Sequence, residues 1–129
     1  MRLAVDANRL TDLFRGDAGL AEKLGLCERV CVPLPVLAEI KAGFLGGSRA
    51  PENERLLSQF LAKPTVEVLL PTRSTADHYA RLFVQLKAAG TPIPINDLWI
   101  AALAIEEDLA LVTRDPHFAR IPQLLQAAF

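Results

Sequence analysis

Long apolar runs, a surplus of charge of either sign and a glycine-rich phosphate loop are all missing from this chain. It holds only 2 cysteines and 2 histidines. The gap between Cys27 and Cys31 suits half a metal site, but no second pair completes it, because His78 and His117 lie far apart in sequence. Buried structural thiols are the expectation. The longest unbroken apolar run, Leu98 to Ile105, has eight residues, whereas a membrane span needs about 20. No membrane association is expected. Between Arg2 and Asp6 stand three apolar residues, far short of the roughly 7–15 of a signal peptide. The expected compartment is the cytoplasm. No Ser or Cys sits in a nucleophile-elbow motif. Acids and bases nearly cancel, 15 against 14, for a net charge of -1. That excludes a basic-tail nucleic-acid binder, and bulk charge names no partner.

What is present is a globular composition, 51% hydrophobic and 22% charged over 129 residues. Such a chain buries roughly 68% of its unfolded surface and needs neither disulfides nor a structural metal. With no repeat and no Gly/Ser-rich linker, residues 1–129 are expected to form one domain. Arg2 to Asp6 reads as a strand ending in a carboxylate. Helices are expected over Asn8–Phe14 and, capped by Asp17, up to Leu24, with Gly16 and Gly25 as stops. Arg29–Val32 reads as a second strand, closed by Pro33 and Pro35. Helices follow over Val36–Leu45 and Pro51–Ala62. Val66–Leu70 is a third strand. Ser74 or Thr75 is expected to cap a helix to Ala89. After a stiff Pro92/Pro94 connection come an apolar helix, Asn96–Glu107, a fourth strand, Ala110–Thr113, and a helical tail from Pro116. Strands alternating with helices indicate an α/β fold of three layers, with a central, mainly parallel sheet.

Ligands of an open parallel sheet bind outside the carboxyl ends of its strands. Asp6 ends strand one, and Thr113-Arg114-Asp115 ends strand four. Glu39 lies one turn into the helix after strand two. The proline-stiffened connection delivers Asp97. Four facing carboxylates repel one another unless a cation joins them. Mg²⁺ and Mn²⁺ take oxygen ligands, lower the pKa of bound water and steady a leaving oxygen. The chemistry implied is phosphodiester hydrolysis without a protein nucleophile.

Each acid also has a structural reading. Asp6 suits a turn with Asn8. Asp97 suits the positive end of a helix, with Asn96 as an alternative cap. Asp115 suits the turn Thr-Arg-Asp-Pro. On a helical wheel Leu37, Ile40 and Phe44 form an apolar side, and Glu39 falls outside it.

Taken together, these stretches resemble the PIN-domain nucleases, and among them the VapC-type toxins of toxin–antitoxin pairs. Val5-Asp6-Ala7-Asn8 is similar to the first acidic motif of that family. Glu39, followed by Lys41-Ala42-Gly43, is similar to the second. Asn96 to Ala102, reading Asn-Asp-Leu-Trp-Ile-Ala-Ala, is the most specific match. Leu111 to Asp115, with Phe118 and Ile121, is similar to the last. The resemblance implies a PIN-like fold and a metal-dependent ribonuclease. Asp6, Glu39, Asp97 and Asp115 would hold one or two Mg²⁺ or Mn²⁺ ions, with Glu39 and Asp115 acting directly or through water. Asn8 and Thr113 would orient the carboxylates. It further implies an RNA substrate, a cognate antitoxin and a homodimer. One departure stands at the second motif: Leu34 and Pro35 occupy the helix start, where many relatives carry Ser or Thr.

The remaining residues carry more than one reading. Arg114 is a candidate phosphate contact or a solvated side chain. For His117 a role at a helix start or on the surface is expected over a catalytic one. Core packing is expected of Trp99, and core packing or a dimer face of Tyr79, Leu82, Phe83 and Leu86. Arg outnumbers Lys 10 to 4, which suits phosphate recognition. Other classes also remain. A housekeeping RNA-processing nuclease of the same fold would lack an antitoxin. A non-catalytic RNA- or protein-binding module would need no acids. A phosphomonoesterase with Asp6 as nucleophile would want a second acid at position 8, which is Asn. Setting aside the four site carboxylates changes the net charge from -1 to +3, so the rest of the chain tolerates a nucleic-acid partner once a cation is bound.

Overall fold

Strand β1 (Arg2–Val5) lies inside the sheet, paired in parallel with β2 (Arg29–Pro33) on one side and β4 (Ala110–Val112) on the other. Its last three residues are fully buried, as are Cys31 and Val32 beside them. Parallel strands covered on both faces read as continuous apolar runs, which is the pattern here. The molecule is described by a computed structural model that covers residues 1–129. β3 (Val66–Leu69) completes a four-stranded parallel sheet in the order β3-β2-β1-β4.

Helices fill the connections. α1 (Ala7–Phe14) starts directly from Asp6, and α2 (Ala18–Gly25) is capped by the Asp17 carboxylate on the Leu20 N–H. α3 (Leu34–Gly46) and α4 (Ala50–Leu61) precede β3. α5 (Arg73–Ala88) packs along α6 (Ile95–Glu106). The eight-residue apolar run is α6 itself, buried at Leu98 and from Ile100 to Ala104. It is a core helix, which needs no membrane to account for its composition. No helix is long and apolar enough to cross a membrane.

Several local expectations are adjusted. Thr72 is the N-cap of α5, with Thr75 as its capping-box partner, so the helix starts earlier than a Ser74 or Thr75 cap would place it. Neither Asn96 nor Asp97 caps α6, because the helix begins at Ile95 after Pro94 and both side chains belong to its first turn. The tail is not a regular helix. A single 3₁₀ turn, η1 (Pro116–Arg120), is followed by irregular chain that forms one bridge, Gln126 to Leu111. The bridge and the bonds from Leu111 and Ala127 satisfy the outer side of β4, so helix is not required there. Both cysteines are free and buried. Burial pushes the Cys31 thiol up to about 12, which makes it unreactive.

Candidate active site

In the order β3-β2-β1-β4 the chain leaves β1 toward β2 and returns on its other side through β4. The point of reversal is the β1–β4 boundary, where a crevice opens beyond the strand ends. Asp6 and Thr113 are the residues that follow those two strands. The Asp6 N–H donates to the Val112 carbonyl at 3.0 Å, which ties the strand ends together.

Asp6 is only 4% exposed. One carboxylate oxygen accepts from the Ala7 N–H at 2.8 Å and so caps α1. The other accepts from the Thr113 hydroxyl at 2.7 Å. Asn8 reaches the same oxygen at 3.4 Å, and its own carbonyl accepts from the Arg114 N–H. Thr113 in turn accepts from the Asp115 N–H at 3.0 Å. Asn8 and Thr113 thus both bond the same oxygen of Asp6. Burial pushes the Asp6 carboxyl up; the bonds from Thr113 and Ala7 oppose that shift, and the charge of Asp115 adds to it.

Asp97 stands in the first turn of α6 and is 9% exposed. Burial raises its pKa, with repulsion from Asp115 and Asp6 adding and a bond to His117 opposing. Asp115 caps η1 by accepting from the His117 N–H at 2.9 Å. Glu39 is half-buried on α3. Its pKa is raised by burial first and then by the charges of Asp6 and Asp97. The four acids therefore sense one another across four separate segments.

Glu39 is where the helical wheel pointed elsewhere. The buried stripe of α3 is Val36, Ile40 and Phe44, with Val36 in place of the expected Leu37, which turns its centre by about 30° toward Glu39. Glu39 and Lys41 lie on its two borders, each about 100° from its centre. Lys41 pairs with Glu54 on α4 at 3.1 Å, and Glu39 accepts from Asn96 on α6 at 3.4 Å. α3 contacts both helices, so its two borders face different neighbours. The absent Ser or Thr at its start has a substitute: Pro33 stands at the N-cap and Pro35 in the first turn, with no side-chain cap bond.

Two residues join the site that sequence reasoning did not place there. Asn96 is the neighbour of Glu39. His117 Nδ1 lies 2.9 Å from Asp97 Oδ2 and 3.1 Å from Asp115 Oδ1. The available signal was the spacing Asp115-Pro116-His117, since a carboxylate that caps through the N–H two residues on brings that residue's ring back beside it. Arg114, by contrast, is turned away into a two-point pair with Asp12, at 2.8 and 3.0 Å, and holds the Asp12 carboxyl below its usual range. Trp99 is partly buried and stacks on Tyr79 with ring centroids 4.5 Å apart, between α6 and α5. That is packing, as expected.

No Lys or Arg forms an ion pair with Asp6, Glu39, Asp97 or Asp115. The donors are carboxylate oxygens with one imidazole, a set that suits a hard or borderline divalent cation. Asp97, Asp115 and His117 bring one donor atom each within 4.8 Å of one another. Beside the acids, a groove of about 380 Å³ runs between α1, α3 and α4, with Asn8, Glu39, Phe14, Phe44, Asn53 and Arg15 among its lining.

The same segments are matched in known proteins. Residues 3–124 match the PIN domain family. Ribonuclease VapC5 of Mycobacterium tuberculosis is 32% identical over 94 residues, 73% of this chain and 70% of that protein. VapBC2 of Rickettsia felis, solved on a DNA fragment from its promoter, superposes with a TM-score of 0.89 at 27% identity and covers 98% of both chains. VapBC-1 of nontypeable Haemophilus influenzae superposes at 0.85, again at 27% identity, over 98% of this chain and 97% of that one. With a family match from β1 to beyond η1, the chain belongs to the PIN domain family, alongside the VapC ribonucleases.

Proposed function

We propose that the protein is a metal-dependent endoribonuclease, that it acts as the toxin of a toxin–antitoxin pair, and that residues 1–129 form its single PIN-like domain. The observation that carries the activity is the convergence of Asp6, Glu39, Asp97 and Asp115 with no Lys or Arg to neutralise them. The ribonuclease reading is supported by relatives such as VapC5. The toxin reading is supported by neighbours solved as VapBC assemblies. A cognate antitoxin and a homodimer belong to the same proposal.

Asp6, Asp97 and Asp115 would hold one or two Mg²⁺ or Mn²⁺ ions, with Glu39 ligating directly or through water. The bound cation supplies a water of lowered pKa and a counter-charge for the leaving oxygen of a phosphodiester. The chain's own residues prepare this. Thr113 and the Ala7 N–H fix both oxygens of Asp6, so its carboxylate keeps one orientation. Asn96 steadies Glu39 from α6. The groove beyond Glu39 offers a seat for a nucleotide flanking the scissile phosphate, with apolar walls at Phe14 and Phe44 and Arg15 for backbone charge. Arg114 meets an RNA phosphate only by leaving Asp12.

Total RNA, incubated with protein and Mn²⁺ and then mapped at its new ends, tests the reading. Cleavage by the wild type, abolished by EDTA and reduced at least about 100-fold by Asp97→Asn, is expected. Equal cleavage by that variant, free of contaminating nuclease, would sink it. For the biological role, growth arrest on expression, relieved by a small neighbouring reading frame, is expected. Absence of any growth effect favours an RNA-processing nuclease instead.

A further inference from the structure

We propose that His117 is itself a ligand of the divalent cation, through Nδ1, and that the site therefore prefers Mn²⁺ to Mg²⁺. The proposal rests on the reading of the acidic cluster as a metal centre and adds a donor that the four carboxylates do not include. Nδ1 stands 2.9 Å from Asp97 Oδ2 and 3.1 Å from Asp115 Oδ1. Adjacent ligands of a six-coordinate ion at about 2.1 Å stand about 3 Å apart, so Nδ1 already has that separation from each of the two oxygens, and the three residues bring one donor atom each within 4.8 Å of one another. The helix start does not account for this ring. Asp115 Oδ1 is capped by the His117 backbone N–H at 2.9 Å, so the imidazole is not needed to satisfy it. In the metal-free chain Nδ1 lies within hydrogen-bond distance of Asp97 Oδ2, and a bound cation would take the place of any proton shared there. The ring is held at one end of η1, whose Phe118 is fully buried, and this anchors the aim of its neighbour. With its proton on Nε2, the imidazole offers the Nδ1 lone pair to the same space as the two carboxylates. Imidazole suits the transition metals, whereas Mg²⁺ is served by oxygen. One nitrogen among oxygens thus shifts selectivity toward Mn²⁺.

Pulsed electron paramagnetic resonance on the Mn²⁺-loaded protein tests this without any turnover. A ¹⁴N modulation is expected in the wild type, replaced by a ¹⁵N signal when histidine is ¹⁵N-labelled. It should persist in His78→Ala, which changes the only other histidine, and vanish in His117→Ala. Titration should show Mn²⁺ affinity falling about tenfold or more in His117→Ala, with a smaller loss for Mg²⁺ in competition. Bound Mn²⁺ with no histidine coupling in the wild type overturns the assignment of His117 and leaves the carboxylate site standing. No bound Mn²⁺ at all overturns the metal reading together with it. The wild-type spectrum decides the matter even if the variant folds poorly.

Discussion

Asp6 and Asp115 each combine a capping role with a place in the acidic cluster. Each closes a local turn, Asp6 on the Ala7 N–H and Asp115 on the His117 N–H, and each remains at the acidic centre. Capping is part of how the carboxylate is aimed, so the two readings of these residues do not compete. Concentrating the acids has a cost that depends on pH. Asp6, Asp97 and Glu39 all hold their protons more tightly in the folded chain than their ordinary values of 3.8, 3.8 and 4.5. Protonated in both states, they do not oppose folding. As pH rises from those ordinary values through the raised ones, the unfolded state releases its protons first, and the metal-free fold loses stability. Glu39→Gln removes one charge and keeps the acceptor for Asn96. In thermal melts without metal at neutral pH, the variant should unfold about 2 °C higher than the wild type. The difference should vanish below about pH 4, where Glu39 is neutral in both states. An unchanged or lower melting point at neutral pH would contradict the mutual repulsion. Arg114 was legible as a cation near the site, but its partner Asp12, 102 positions away, was not.

At the scale of elements, the helices and strands are legible because their signals are local: Gly16 with Asp17, Gly25, the Pro33–Pro35 pair, and the apolar run of α6. Less legible is which border of a helix meets which neighbour. α3 illustrates this, since Glu39 and Lys41 lie on the two borders of the stripe that is buried, and only α6 on one side and α4 on the other tell them apart. The start of α5 is a second case. Thr75, fully buried, accepts from the Thr72 N–H at 2.9 Å and donates to Glu106 at 2.6 Å, which locks the first turn of α5 to the last turn of α6. Thr75→Val keeps the volume and removes both bonds, leaving the Thr72 N–H and Glu106 to water. It should lower unfolding free energy in urea by about 2 kcal/mol. RNA cleavage at permissive temperature should remain, because Asp97 lies at the opposite end of α6.

For the whole molecule, the order β3-β2-β1-β4 is what gathers the acids: it sets the ends of β1 and β4 side by side, although Asp6 and Asp115 are more than a hundred residues apart. A cation bound there stabilises the folded chain alone, since the unfolded chain does not assemble the cluster. Mn²⁺ at 100 times its dissociation constant should therefore add about 2.7 kcal/mol of stability. In melts this appears as a rise in the unfolding temperature, reversed by EDTA and much smaller in Asp97→Asn. A rise of equal size in that variant would place the ion elsewhere. The sequence by itself determined the element order, the parallel sheet, the buried central helix and the positions of Asp6 and Asp115 just beyond β1 and β4. Periodicity, turn chemistry and capping are written within a few residues of where they act. Only the tertiary structure decided that Glu39 faces the site, that Thr113 holds Asp6, that Arg114 turns to Asp12, and that the His117 ring joins Asp97 and Asp115. Each of these is a contact between segments distant in the chain, set by how helices seat against one another and against the sheet, and no local pattern encodes it.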